Sequence, residues 1–232
     1  YFTNTPGQRV AFVSQGGETP AAALVPPSIL DIPGSANDFR IAGGDYYSVS
    51  PDDYQANCDE ARKLLAEAGY PEGQGFPVIK YIFNTADLNK TIGEAVAYMW
   101  QTELGVKTEL SNMEWNVYLD TRDAGDYDAA KDGWSSDYSD AMAFVEMFIT
   151  NGTNNPSGYS DPQLDTAVAA AKAESNLSRR VELMHQAEGM IMAQAVVAPL
   201  YYYTTPYMLN EQVGGLYYSP LGLFFFSYCQ PK

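Results

Sequence analysis

Histidine and cysteine are almost missing from this chain of 232 residues, which holds the single His185 and only Cys58 and Cys229. These three share none of the spacing that a zinc or iron–sulfur site needs, so no metal or other cofactor is expected. One disulfide between the two cysteines stays open in an oxidising compartment, because pairing depends on geometry. Basic residues are scarce as well: 13 Lys and Arg stand against 29 Asp and Glu, a net charge of −16. Such a field repels phosphate backbones and anionic lipid, which excludes nucleic acid and leaves neutral, cationic or protein partners. Apolar runs are cut by Pro, Gly or polar residues well before the roughly 18 residues a membrane span requires. No charged segment followed by an apolar one opens the chain, so any signal peptide is expected to lie outside it.

Catalytic signatures are lacking too. There is no G-x-S-x-G elbow, and the Gly-Gly pairs at 16–17, 43–44 and 214–215 lack the residues of a phosphate loop and read as turns. A single histidine starves most general-base schemes, and neighbouring acids such as Asp52-Asp53 are expected on any solvated face. The expectation is a protein that is not an enzyme, a secreted hydrolase using paired carboxylates being the remote alternative.

What is present is globular in composition, with 46% apolar and 18% charged residues, long enough for one or two domains. Residues 1–50 are punctuated by Gly and Pro and read as loop with short strands. Cys58, Ala61, Leu64, Leu65 and Ala68 recur at helical spacing and predict a helix over 54–68 ended by Gly69, with Cys58 facing the core. The β-branched and aromatic run 76–83, the stripe Leu88, Ile92, Val96, Met99, Trp100 and Leu104, and the alternation Val106, Thr108, Leu110 predict a βαβ unit with parallel strands. A helix near 114–124, a strand near 127–133, helices near 162–174 and 178–194, and a strand from Val196 to Thr204 complete an α/β order. On the last helix Val181, Met184, Ala187, Met190, Ile191 and Met192 form a core stripe, while His185 reads as a surface or capping residue. The tyrosine-rich stretches Tyr201–Tyr203 and Leu216–Tyr228 read as core strand, the alternative being a face that packs on absent chain.

Residues 112–148 interleave aromatics (Trp115, Tyr118, Trp134, Tyr138) with charges (Asp120, Arg122, Asp128, Lys131, Asp137) across a helix, a turn and a strand end. Trp134 and Asp137 fall at the carboxyl end of a predicted strand, where α/β sheets place ligands. A carboxylate beside aromatic walls suits an ammonium group, and a nearby base suits a carboxylate. Pattern alone favours the other reading, core tryptophans with solvent-facing charges.

The run from Glu114 to Tyr138, E-W-x-x-Y-L-D-T-R-x-x-G-x-Y-D-x-x-x-x-G-W-S-S-D-Y, resembles the signature region of the family 5 extracytoplasmic solute-binding proteins, the oligopeptide- and dipeptide-binding components of ABC importers. GGETPAAALVPPSI at 16–29, DEARKLLAEAGYPEG at 59–73, SGYSDPQLD at 157–165, AEGMIMAQAVVAPLYYYTTPYML at 187–209 and YYSPLGLFFF at 217–226 extend it in family order. The resemblance implies a periplasmic-binding-protein-like (class II) fold, here the C-terminal lobe over 1–206 with a mixed sheet flanked by helices. Residues 207–232 would be a tail returning toward an N-terminal lobe that this chain lacks. It also implies an extracytoplasmic protein of bacterial origin, periplasmic or a cell-surface lipoprotein, that holds short peptides between two lobes and delivers them to ABC permease subunits. Other cargo carried in the family includes nickel chelates, opines and glycans, and some members serve sensing or adhesion.

Carried over residue by residue, Asp137 of the G-W-x-x-D motif would take the peptide α-ammonium, with Trp134 and Trp115 lining side-chain pockets beside Tyr138. Arg122 and Lys131 would meet the carboxylates of short peptides. Lys131 stands where the best-known member has arginine, which turns a bidentate clamp into a point charge. Asn89 stands where that member has histidine, and both departures bear on peptide length. Affinity for many sequences has to come from groups that all peptides share, with roomy, wet pockets for their side chains.

Overall fold

A computed structural model describes residues 17–219 and 222–232. Residues 1–16 of the loop reading, Gly16 of the first glycine pair included, and 220–221 of the tail lie outside the described residues. The centre is a parallel sheet in which β2 (Ile79–Asn84) is flanked by β3 (Thr108–Met113) and β4 (Ala129–Ala130). β2 and β3 run in register from Ile79 opposite Thr108 to Asn84 opposite Met113, joined by the helix α3 (Asp87–Leu104) as the βαβ pattern predicts. Ile92, Val96 and Met99 of α3 pack on Tyr81 and Phe83 of β2 in one buried cluster. α3 stops at Gly105, whose φ of 69° is left-handed and whose missing Cβ leaves room for the Glu72 carbonyl. After β3 the helix α4 (Trp115–Asp123) crosses to the far edge, where β4 pairs with β2 through Tyr81–Ala129 and Ile82–Ala130. β4 is shorter than the predicted 127–133 because the ladder ends at the bond from Lys131 N to the Ile82 carbonyl, 2.9 Å.

A second core lies beyond the sheet. The helices α6 (Pro162–Ala173) and α7 (Leu177–Ala193) pair as a hairpin, capped by Asp161 on the Gln163 amide at 2.8 Å and by Asn176 on the Arg179 amide at 3.0 Å. Leu164, Val168, Ala171, Met184, Ala187 and Ile191 bury between them and against α5 (Met142–Val145), Val25 and Phe39, so the methionine-bearing stripe is core. The helix α2 (Tyr54–Glu67) matches its predicted bounds to a residue and buries Cys58; both cysteines are free thiols.

The structure differs from the sequence reading elsewhere too. Within 17–50 it has a five-residue helix, α1 (Phe39–Gly43), too short to leave a period, besides the strand β1 (Thr19–Pro20). The predicted strand Val196 to Thr204 shrinks to β5 (Tyr201–Tyr202), because its antiparallel partner is the two-residue β1. The tail forms two small antiparallel pairs, β6 (Val213–Gly214) with β9 (Gln230–Pro231) and β7 (Tyr217–Tyr218) with β8 (Phe224–Phe225). Most of its aromatics face out, Phe226 at 66% and Tyr228 at 77% exposure, so Leu216–Tyr228 is not core strand. Parallel and antiparallel pairing are thus segregated into separate sheets.

His185 is not a surface residue. Its ring stacks on Phe39 of α1 at 3.8 Å and 14°, and both ring nitrogens are buried without a hydrogen-bond partner. A Cβ on Gly43 would meet His185 Nδ1 at 2.6 Å and Arg40 Nη2 at 2.8 Å, so imidazole and guanidinium flank the same glycine. Burial lowers the His185 pKa, Arg40 lowers it further and Asp31 partly opposes them; Glu188 and Tyr46, with Tyr202 and Asp45 beyond, are further ionisable groups of this corner. The unfolded chain, titrating near the ordinary value of about 6.5, then binds more protons than the folded one just below that pH. Stability is therefore expected to fall as pH drops from about 6.5, above the range where carboxylates titrate. Denaturant midpoints compared for the wild type and His185→Phe between these limits check it: the variant should lose the slope, and an equal slope in both would sink the assignment.

Candidate ligand-binding site

Because the three strands are parallel, their carboxyl ends lie along one edge, and the segments leaving that edge carry the predicted site. β2 leads to Asn89 at the start of α3, β3 to Trp115 at the start of α4, and β4 to the loop from Lys131 to Tyr138. The structure therefore brings Asn89, Trp115, Lys131, Trp134, Asp137 and Tyr138 to segments that leave the carboxyl side of one sheet, while Arg122 sits in the last turn of α4.

Asp137 is exposed and, among the described residues, makes no hydrogen bond or ion pair. Its neighbours are pinned on both sides. Tyr138 Oη donates to Glu146 Oε1 at 2.6 Å, and Glu146 is bridged by Lys172 at 2.5 Å from α6. Asp140 takes a two-pronged contact from Arg180 of α7, at 2.8 and 3.0 Å. Burial alone would raise the Glu146 pKa, but hydrogen bonds from Lys172 and Tyr138 outweigh it and lower it. Burial and the adjoining Glu146 push the Tyr138 hydroxyl up, so it stays a neutral donor. Trp134 is half-buried: its indole donates to the Ala143 carbonyl at 3.0 Å and its ring packs on the second core. The loop thus holds one unneutralised carboxylate at its tip between a fixed tryptophan and a fixed tyrosine.

Trp115 is 50% exposed and lies nearly parallel to Tyr118, with centroids 5.9 Å apart. Tyr118 is the buried half of that pair, its hydroxyl donating to the Lys131 carbonyl at 2.7 Å. Lys131 Nζ donates to Tyr203 Oη at 2.9 Å.

Two candidates are engaged elsewhere. Arg122 pairs with Asp132 at 3.0 Å and Asp123 at 3.0 Å, which ties α4 to the loop after β4. Burial alone would lower its pKa; the two aspartates overcome this and raise it, so a ligand carboxylate would have to displace one of them. Asn89 is buried, and its amide nitrogen donates to Asn84 Oδ1 at 2.9 Å and to the Asn84 carbonyl at 3.2 Å. Its amide joins the end of β2 to the start of α3.

Tyr203, Asp132, Glu146 and Arg180 escaped the sequence reading. Each acts through a partner far along the chain or inside a loop without period; the only local signal was the clustering of tyrosines at 201–203. Among the described residues no group of His, Cys, Asp and Glu could hold a metal ion, and no helix is long and apolar enough to cross a membrane.

Comparison with known proteins identifies the family and the fold. Residues 9–156 match the profile of the bacterial extracellular solute-binding proteins, family 5 Middle, and the chain belongs to that family. Among curated relatives, the oligopeptide-binding protein OppA of Bacillus subtilis (strain 168) is 33% identical over 205 residues, 88% of this chain and 36% of that protein. The dipeptide-binding protein DppE of the same organism is 34% identical over 214 residues, 92% of this chain and 38% of that protein. Among solved structures, Haemophilus influenzae OppA in complex with the peptide RPPGFSPFR superposes with a TM-score of 0.73 at 26% identity, covering 93% of this chain and 42% of that one. The fold is of the periplasmic-binding-protein type, and the chain spans little more than a third of the length of these curated relatives.

Proposed function

We propose that this chain is the C-terminal lobe, residues 1–206 with a returning tail at 207–232, of a two-lobed extracytoplasmic protein that captures short peptides for an ABC permease and performs no catalysis. The observation that carries this reading is Asp137, the unpaired carboxylate held at the carboxyl edge beside Trp134 in a chain of this family. Asp137 takes the peptide's α-ammonium; Trp134, Trp115 and Tyr138 wall the neighbouring side-chain space; Lys131 meets a carboxylate. Arg122 and Asn89 hold the frame, the first across its two aspartates and the second through Asn84. The second lobe closes over this edge and excludes water, which strengthens the ammonium–carboxylate contact. The printed names of the relatives, an oligopeptide- and a dipeptide-binding protein, support peptide cargo. The outward-facing aromatics of the tail, Tyr217, Phe225, Phe226 and Tyr228, support a covering partner, since patches of this kind are rarely left in water.

Calorimetric titration tests the reading on the full-length protein carrying this lobe, freed of co-purified ligand by unfolding and refolding. Di- to pentapeptides should bind and their N-acetylated forms should not. No binding of any peptide would overturn the cargo, and equal binding of acetylated forms would overturn the Asp137 anchor.

A further inference from the structure

Lys131 is the cation of this edge without an acidic partner: among the described residues it forms no ion pair, in a protein with 29 acids. Its backbone is held at both ends, the amide on the Ile82 carbonyl at 2.9 Å and the carbonyl on the Tyr118 hydroxyl at 2.7 Å. Its ammonium is held by the tail-ward segment. Nζ meets Tyr203 Oη at 2.9 Å and lies 5.4 Å from the Tyr203 ring centroid and 5.9 Å from that of Tyr201. Those two rings meet edge to face at 5.3 Å and 85°, so each limits the other's rotation.

Tyr203 reaches the loop because residue 133 is glycine. A Cβ there would collide with the Tyr203 hydroxyl and come within 2.9 Å of Cζ and 3.0 Å of Cε2. A neutral hydroxyl and the neighbouring Tyr201 ring orient an ammonium without cancelling its charge, whereas the two aspartates on Arg122 cancel that one. Resting on the peptide reading above, we propose that Tyr203, seated over Gly133, is a positioning residue that aims Lys131 at the carboxylate of a peptide whose ammonium is on Asp137. Tyr203 thereby sets the protein's preference for a free carboxyl terminus at one peptide length.

The test is calorimetry on the full-length protein with di- to pentaalanine and their C-terminal amides, using the wild type, Tyr203→Phe, Lys131→Met and the double variant. The wild type should favour the acid over the amide at one length. Tyr203→Phe keeps both rings and loses the hydroxyl; it should weaken the acid by about tenfold or more at that length while leaving the amide unchanged. Lys131→Met should abolish the acid–amide difference, and the double variant should match Lys131→Met alone, as expected if Tyr203 acts through the lysine. Gly133→Ala, which displaces the tyrosine, should repeat the Tyr203→Phe pattern. No acid preference at any length, an equal loss of acid and amide, or additive effects in the double variant would overturn the inference. A wild type that binds no peptide would instead overturn the peptide reading on which it rests.

Discussion

Asp137→Asn in the full-length protein is expected to weaken peptides with a free amino terminus by about 2–5 kcal/mol, roughly 30- to 4,000-fold in affinity. Asparagine keeps the size and one acceptor oxygen but not the charge, so the ammonium would enter a dry cleft with no counter-ion. Much of the cost is that stranded charge rather than the value of the contact itself. The loop should not move to compensate, because Trp134 before it is tied to the Ala143 carbonyl and Tyr138 after it to Glu146. On the isolated lobe Asp137 is open to water, and the same substitution should change any residual affinity by no more than about 1 kcal/mol. Titration of both forms decides it; an Asn variant of the full-length protein with wild-type affinity would remove Asp137 from the site.

Arg40→Met should be the most damaging substitution for folding. Glu188 on α7 is completely buried, and its carboxylate accepts from Arg40 Nη1 at 2.6 Å, from the Val25 amide at 2.9 Å and from Tyr46 Oη at 3.3 Å. These bonds clamp α1 and both its flanks onto the helical hairpin. Methionine matches the stem of arginine but leaves a buried, uncompensated charge, a loss of about 3–5 kcal/mol in denaturant unfolding. Arg40→Met combined with Glu188→Leu should recover most of it, because removing both charges also removes the cost of desolvating them. A single-variant loss below about 1 kcal/mol would mean that water reaches Glu188.

Legibility tracked how local the determinants are. Helices α2, α6 and α7 fall within a residue or so of their predicted bounds, since spacing, a capping Asp161 before Pro162 and a terminal glycine all act within a turn. The strand read at 76–83 begins only at Ile79: Pro77 has no amide to donate, and Phe76 leaves the sheet to meet Tyr70 edge to face at 5.0 Å. The stretch from Val196 to Thr204 has the composition of a full strand, yet its pairing length was set by β1, which is two residues long. Leu216–Tyr228 reads as core because apolar composition says that a surface wants covering; it does not say whether the cover is in the same chain.

The site divides the same way. The G-W-x-x-D motif and its place beyond a strand marked Trp134 and Asp137 from residues a few positions apart, and the α/β order put them at a carboxyl edge. Whether a charge at that edge is free or spent is a matter of what folds against it. Arg122 meets Asp132 ten residues on, Lys131 meets Tyr203 across 72 residues, and Arg40 meets Glu188 across 148. Hydrophobic period, helix caps and turn residues act over one or two turns of backbone, so the sequence by itself determined the long helices, the βαβ unit, the family and the carboxylate in the loop after β4. Tertiary structure alone decided the burial of the His185 ring nitrogens, the engagement of Arg122 with Asp132, and the hold of Tyr203 on Lys131, because those depend on distances between segments that no local pattern encodes.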